Sequence, residues 1–308
     1  MKVNYVRQTV LPLLAALIWG TAFVAQSIGA EYVGPFTLNA VRSAIAVVVL
    51  LFAGAVFKRL QKEPPAQSPE NNPHYYRDLA IGGTACGAAL TLATNFQQAG
   101  IATTSSGKAG FITALYIVIV PVLGIFVKKR VSWPIWISVA LAVAGLYFLC
   151  VREQFTVAPG DVYLVLCALC FSVQILLVDH YVEKVDGLAL SCVQFLVVAA
   201  VSGILMLRYE TPTAQALYRC MWPLLYLGVF SNGVAYTLQI LAQKGSNPTV
   251  VSLLLSLEAV FATLAGALIL HDRMIGREYA GCALMLCAVV LAQIPLPSRS
   301  GRKAPESK

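Results

Sequence analysis

The chain has 308 residues, 58% hydrophobic and only 12% charged, with a mean hydropathy of +0.75. Soluble globular domains carry about 25% charged residues, so this composition excludes an ordinary soluble fold. The formal charge of +8 does not indicate nucleic-acid binding, because Lys and Arg fall in short loops and tails rather than on one aromatic-lined cationic face.

Ten apolar runs follow one another, at residues 8–29, 35–57, 77–99, 107–127, 132–151, 160–179, 187–207, 222–243, 248–270 and 277–296. About 20 helical residues span the ~30 Å hydrocarbon core, and runs this long exclude barrel strands. The chain is therefore predicted to be an all-α polytopic membrane protein with ten transmembrane helices in one membrane domain. The first run follows Lys2 and Arg7, but it is too long for a signal peptide and lacks a clear cleavage site, so it reads as a retained span. Between the second and third runs, Gln61 to Tyr76 is polar and rich in Pro and Asn, and reads as the one real, mobile linker. The basic tail, residues 297–308, is expected to be disordered. Most of the eight cysteines lie inside apolar runs, where a free thiol packs as a small hydrophobe. The Cys167-x-x-Cys170 pair lacks the context of a redox or zinc motif.

Orientation follows from the basic residues. With the N-terminus in the cytoplasm, 15 of the 22 Lys and Arg residues fall on the inside and 6 on the outside, Arg42 being left within a span. This bias predicts a cell-membrane protein with both termini cytoplasmic.

The two halves are related. Leu13 to Phe23 can be laid over Val165 to Ile175, and the same shift puts Pro35 on Gly187 and Arg42 on Gln194. Lys128 to Gly145 lies over His271 to Ala288. Two matches in order, with corresponding loops, indicate an internal repeat, with residues 1–151 as one copy and 152–296 as the other. Five helices per copy is an odd number, so the second copy must be upside down in the membrane. Inverted repeats are typical of secondary carriers, whose site lies at the midplane between the halves.

Glu258 is near that depth, about ten residues from the first end of the ninth run and about twelve from the second. A carboxylate there costs about 2.5–3.5 kcal/mol on insertion scales, so it is expected to line a hydrated interior. Its repeat counterpart is Leu115, so symmetry does not demand an acid. It could bind a proton coupled to substrate movement, pair with a cationic substrate group, or pair with a neighbour.

Other intramembrane polar residues form stripes. Asn232, Tyr236, Gln239 and Gln243 share one face of the eighth span, and Thr91, Asn95 and Gln98 one face of the third. Trp19, Phe23 and Gln26 share a face of the first, Phe171 and Gln174 lie at the equivalent position of the sixth, and Thr113 and Tyr116 line one side of the fourth. These residues predict a partly polar, aromatic-walled substrate cavity. Arg42, roughly 10 Å below the end of its span, reads as a structural anchor or a gate, free to snorkel or to meet a carbonyl. Lys108, at the start of the fourth span, belongs to the same gating or structural class. Trp133 and Trp136 read as headgroup anchors. Gly83, Gly87, Gly107, Gly110, Pro121 and Gly124 are candidate close contacts or bending points.

The chain resembles the drug/metabolite transporter superfamily, of the EamA-like kind with two repeats of five helices. The residues that carry the likeness are Ala15 to Phe23, Arg42, Gly107 to Ile112 through Pro121, and Leu257 to Phe261 followed by Asp272-Arg273. The resemblance implies the same set of helices around a substrate. Ala259 stands where the family usually has Pro, which predicts an altered kink in the ninth span.

No zinc-protease, nucleophile-elbow or P-loop motif is present, and His74, His180 and His271 all lie near loops. The expectation is a carrier rather than an enzyme, without cofactor, metal or nucleic-acid partner. Its partners are the lipid bilayer, a small-molecule substrate and, possible in principle through Glu258, a coupled proton. Export of small organic metabolites or drugs by alternating access is the leading reading. An uptake carrier and a non-transporting membrane sensor or scaffold are the alternatives. Aromatic walls with amides suit amino acids, purines or amphipathic cations alike.

Overall fold

The computed structural model describes residues 6–60, 69, 72–101, 106–127, 129, 131–150, 159–269 and 274–293. Every regular element among them is helical. A π-helical turn (Val6–Val10) leads into α1 (Leu11–Ala30), followed by α2 (Pro35–Leu60) and α3 (Tyr75–Ile101). The fourth apolar run is two helices, α4 (Ser106–Thr113) and α5 (Tyr116–Phe126), with α6 (Trp133–Cys150) after it. Then come α7 (Pro159–Tyr181), α8 (Gly187–Tyr209) and a short α9 (Ala214–Arg219). The eighth run is composite: α10 (Met221–Tyr226), a π-helical stretch (Leu227–Ala235) and α11 (Tyr236–Gln243). The ninth is also divided, into α12 (Pro248–Leu255) and α13 (Glu258–Ile269), and α14 (Gly276–Gln293) follows.

Eight helical segments are long and apolar enough to cross a membrane, while Trp133–Leu149 is a shorter apolar helix. Outside these lie the six-residue α9 and α14, which carries Arg277 and Glu278 in its first turn. Tyr75 and Tyr76, assigned to the linker by sequence, already belong to α3. Most of that linker and the tail 297–308 lie outside the described residues.

The molecule is apolar outside and mixed inside. On α2, Leu38, Arg42, Ala46 and Leu50 recur every four residues and are buried, whereas Val48, Leu51 and Phe52 are exposed. Ile204 and Leu207 of α8 are exposed in the same way. Such faces suit acyl chains. Between helices in lipid there is little hydrophobic drive, so close packing and hydrogen bonds hold the bundle. The α6–α14 crossing illustrates the first. A Cβ on Gly145 would sit 3.0 Å from the Gly281 carbonyl, and one on Gly281 would sit 2.8 Å from the Gly145 carbonyl. Only glycine at both positions lets these backbones touch. The second is seen where α8 ends. Glu210 accepts hydrogen bonds from the Phe36 N–H (3.0 Å), the Thr37 N–H (2.8 Å) and the Thr37 hydroxyl (2.6 Å), and so caps the N-terminus of α2.

Local chemistry sets the boundaries. Asp186 caps α8 through the Ala189 N–H (2.9 Å), and Asn247 caps α12 through the Thr249 N–H (2.9 Å), both short acceptor side chains of the type helix starts favour. Gly245 between α11 and α12 has φ +69°, a left-handed turn that costs glycine nothing.

The interruption of the ninth span has no proline at all. The Ser252 and Ser256 hydroxyls bond back to the Thr249 and Leu253 carbonyls, a competition that loosens helices. The N–H groups of Leu257 and Ala259 reach only three residues back, at 3.2 Å each, as in a 3₁₀ turn. The fourth span behaves alike: Leu115 reaches Ile112 (3.2 Å) and Ile117 reaches Ala114 (3.1 Å), with Pro121 inside α5. When Lys128 is laid over His271, Ala114 and Leu115 coincide with Leu257 and Glu258, so the two breaks fall within one residue of each other.

Candidate functional site

Tyr116 and Glu258 are the first residues of the two half-helices, α5 and α13, and both line one cavity of about 570 Å³ counting its open mouth. Its walls come from α1 (Trp19, Phe23, Gln26), α2 (Arg42), α3 (Gln97), α4 (Thr113) and α7 (Phe171, Ile175). The π-helical stretch adds Ser231 and Asn232, α11 adds Tyr236 and Gln239, and α12 adds Leu255.

Several wall residues are held by specific contacts. The Trp19 indole N–H donates to the Ser231 carbonyl at 3.3 Å, a group displayed by the widened π turn, a feature frequent at functional sites. Trp19 also meets Tyr236 edge-on, with centroids 4.7 Å apart, and Tyr236 packs likewise on Phe195 at 5.3 Å. Asn232 donates to the Ser43 hydroxyl at 3.3 Å. Glu258 is 9% exposed and accepts a long hydrogen bond, 3.4 Å, from the Tyr116 hydroxyl. The α13 N-terminus supplies the positive end of a helix dipole to that carboxyl.

Arg42 is 3% exposed. Rather than snorkelling outward, its guanidinium stays in the cavity wall, where Nη1 donates to Gln26 Oε1 at 3.3 Å. Its Nε has no partner. Among the described residues no ion pair joins Arg42 to Glu258.

The cavity has a floor of amides. Gln239 Nε2 donates to Gln174 Oε1 and to Gln243 Oε1, each at 3.3 Å. Gln174 Nε2 donates to Gln194 Oε1 at 3.3 Å, and Gln243 Nε2 to the Ile175 carbonyl at 2.8 Å. All four side chains are buried. Toward the same end of the bundle, Lys129 Nζ meets Asp179 Oδ2 at 2.6 Å, tying the α5–α6 turn to the end of α7. In the other direction the lining climbs through Gln26, Arg42, Gln97 and Thr113, toward the face that carries Ala30, Pro35, Ile101 and Ser106.

Of the residues singled out by sequence, Trp19, Phe23, Gln26, Thr113, Tyr116, Asn232, Tyr236, Gln239 and Glu258 come together around the cavity. Four do not line it. Thr91 donates to the Gly87 carbonyl at 2.7 Å within its own helix. Asn95 accepts from Asn39 at 2.9 Å and donates to Ser202 at 3.1 Å, bridging α2 and α8. Gln98 is buried elsewhere on α3, and Gln174 belongs to the floor. The Lys108 side chain lies outside the described residues. The sequence reading missed Gln97, Ile175, Ser231 and Leu255, and gave Arg42 no place on the wall. An amide next to Gln98 was the available signal for Gln97, but α3 packs on both α7 and α8, so its polar stripe faces those helices instead of the cavity.

Residues 9–151 and 158–293 each match the model of the EamA-like transporter family. An uncharacterized transporter of Archaeoglobus fulgidus is 30% identical over 291 residues, 91% of this chain and 84% of the relative. The uncharacterized transporter YoaV of Bacillus subtilis is 19% identical over 284 residues, 89% and 92% of the two lengths. A protein of known crystal structure, 20% identical, superposes with a TM-score of 0.74 over 93% of this chain and 96% of its own, a likeness of fold.

Proposed function

Because the chain belongs to the EamA-like transporter family and is thus a multi-pass membrane transporter, we propose that it is a secondary carrier that exports small organic metabolites or drugs by alternating access, with Glu258 binding a coupled proton. The observation that carries this reading is the cavity at the meeting of two interrupted helices, with Glu258 at the start of one and Tyr116 at the start of the other. Discontinuous helices of this kind build the sites of many carriers.

The carrier has ten membrane helices in this reading, the eight long segments together with α6 and α14, arranged as inverted copies over residues 1–151 and 152–296. The packing pattern supports it. Exchanging α1 with α7, α2 with α8, α3 with α10–α11, and α5 with α13 carries contacts onto contacts. Thus α3 packs on α7 as the eighth span packs on α1, and α5 packs on α7 as α13 packs on α1. In the same way α3 packs on α8 as the eighth span packs on α2, and two further close pairs, α2–α8 and α6–α14, map onto themselves. With both termini in the cytoplasm of a cell-membrane protein, the amide floor lies on the inner side, and we take the opposite end of the cavity as its outward mouth. Export then requires the floor to part and the outer walls to close.

The test is flux of a labelled metabolite panel in proteoliposomes with an imposed pH gradient. Wild type is expected to move its substrate against a concentration gradient when protons flow the other way. Glu258→Gln should abolish that accumulation while leaving substrate exchange. Gradient-driven accumulation that survives the substitution removes Glu258 from coupling, and absence of flux for every compound removes the carrier reading.

A further inference from the structure

We propose that Arg42 is the recognition point for a carboxylate on the transported compound, so that the cargo class is organic monoanions or zwitterions with an apolar body. The inference rests on the carrier reading and deepens it.

A full charge this deep in a membrane protein is costly, and such residues face an interior and find a partner. Arg42 faces the interior but has found only half a partner. Its one protein hydrogen bond among the described residues goes to the neutral Gln26 amide, at 3.3 Å. Its Nε is empty-handed, and the acid that shares the cavity, Glu258, is held instead by Tyr116. Gln26 engages one corner of the guanidinium fork, and Arg42 lines the cavity with donors left over for a ligand. A planar fork of N–H donors matches a carboxylate by two parallel hydrogen bonds, which an ammonium cannot do.

The number of charges narrows the class. Among the described residues Arg42 is the only Lys or Arg on the cavity wall, so a monoanion is matched one to one. A phosphate dianion would carry a second, uncompensated charge into a site walled by Trp19, Phe23, Phe171 and Leu255. Those walls suit the apolar remainder of an amphipathic acid. Glu258, facing the same space, adds a place for an ammonium, which separates zwitterions from simple acids.

The experiment compares matched probes on purified protein: 3-phenylpropanoate against 3-phenylpropanamide, and L-phenylalanine against its amide. Binding is read by thermal stabilisation, in wild type, Arg42→Gln and Arg42→Lys. The same compounds are followed for flux in proteoliposomes. The acids are expected to bind about tenfold or more tightly than their amides, the usual size of a lost charge-assisted hydrogen bond. Arg42→Gln should erase that preference, and Arg42→Lys should keep part of it. L-Phenylalanine exceeding 3-phenylpropanoate identifies zwitterions as the better cargo, and the reverse order identifies simple acids. Equal binding of acids and amides by wild type overturns the assignment. So does an acid preference that persists in Arg42→Gln. If Arg42→Gln does not fold, the wild-type pairs and Arg42→Lys decide alone. Indifference to both acids, with flux of uncharged or cationic compounds intact, overturns the assignment and leaves the carrier standing. Absence of all flux overturns the carrier, and this assignment with it.

Discussion

Gly20→Ala adds one methyl group where α1 crosses the start of α13. A Cβ built on Gly20 lies 2.6 Å from Phe261 Cβ, 2.8 Å from the Ala262 nitrogen and 2.8 Å from the Glu258 carbonyl oxygen. Two of those atoms are backbone, so no side-chain rotation relieves the clash. Restoring a normal contact of about 3.5 Å requires the helices to part by roughly 0.7–0.9 Å. Overpacking of this kind costs about 1–3 kcal/mol, and the gain from replacing a mid-helix glycine returns only about 0.5–1 kcal/mol. A net loss of about 1–2 kcal/mol should lower the melting temperature by a few degrees. Transport should fall as well, because the atoms displaced include the backbone of Glu258. The matched control is Gly203→Ala on α8, where a Cβ meets no heavy atom within 4 Å and stability should hold or rise. Thermal unfolding of both variants in the same detergent gives the comparison. If Gly20→Ala melts at or above Gly203→Ala, the close approach of α1 and α13 is not what organises this side of the cavity.

Two further outcomes follow from the ends of the bundle. Glu210→Ala removes three acceptor contacts from the N-terminus of α2 and should cost about 1–2 kcal/mol. Hydrogen exchange at Phe36 and Thr37 should quicken, and unchanged exchange there refutes the capping role. Asp179→Asn breaks the contact with Lys129, whose side chain is 46% exposed, so stability should change by less than about 1 kcal/mol. The population open at the amide floor should nevertheless grow, read as faster labelling of a cysteine placed at Ile175. Equal labelling rates with and without the substitution would show that the pair does not hold that end shut.

The spans were legible because a bilayer demands long apolar helices and little else looks like them. Their interruptions were not. Neither Ala114-Leu115 nor Ser256-Leu257 contains a proline or glycine, and the break at the second rests on serine hydroxyls competing for carbonyls. The family resemblance pointed to a kink from proline in the ninth span, yet the chain turns there with Ala259 in its place. The π-helical stretch Leu227–Ala235 was equally silent, since one extra residue per turn leaves no mark in composition. Aromatic and amide residues on α1 and α11 were found because their helices present one polar face to the cavity. On α3 the same rule chose Asn95, which joins helices, and passed over Gln97, which faces the open space. A polar stripe in a membrane helix records where hydrogen bonds are made, and only packing decides whether with a neighbour or a ligand.

In the proposed carrier the barrier beneath the cavity is made of Gln174, Gln194, Gln239 and Gln243, four side chains with no net charge. Moving an elementary charge through the membrane field takes about 2.3 kcal/mol per 100 mV, whereas rearranging neutral amides takes almost none. Opening this barrier is therefore insensitive to the resting voltage in itself. Any electrogenic behaviour must enter through Arg42, Glu258, the Lys129–Asp179 pair or the charge on the cargo.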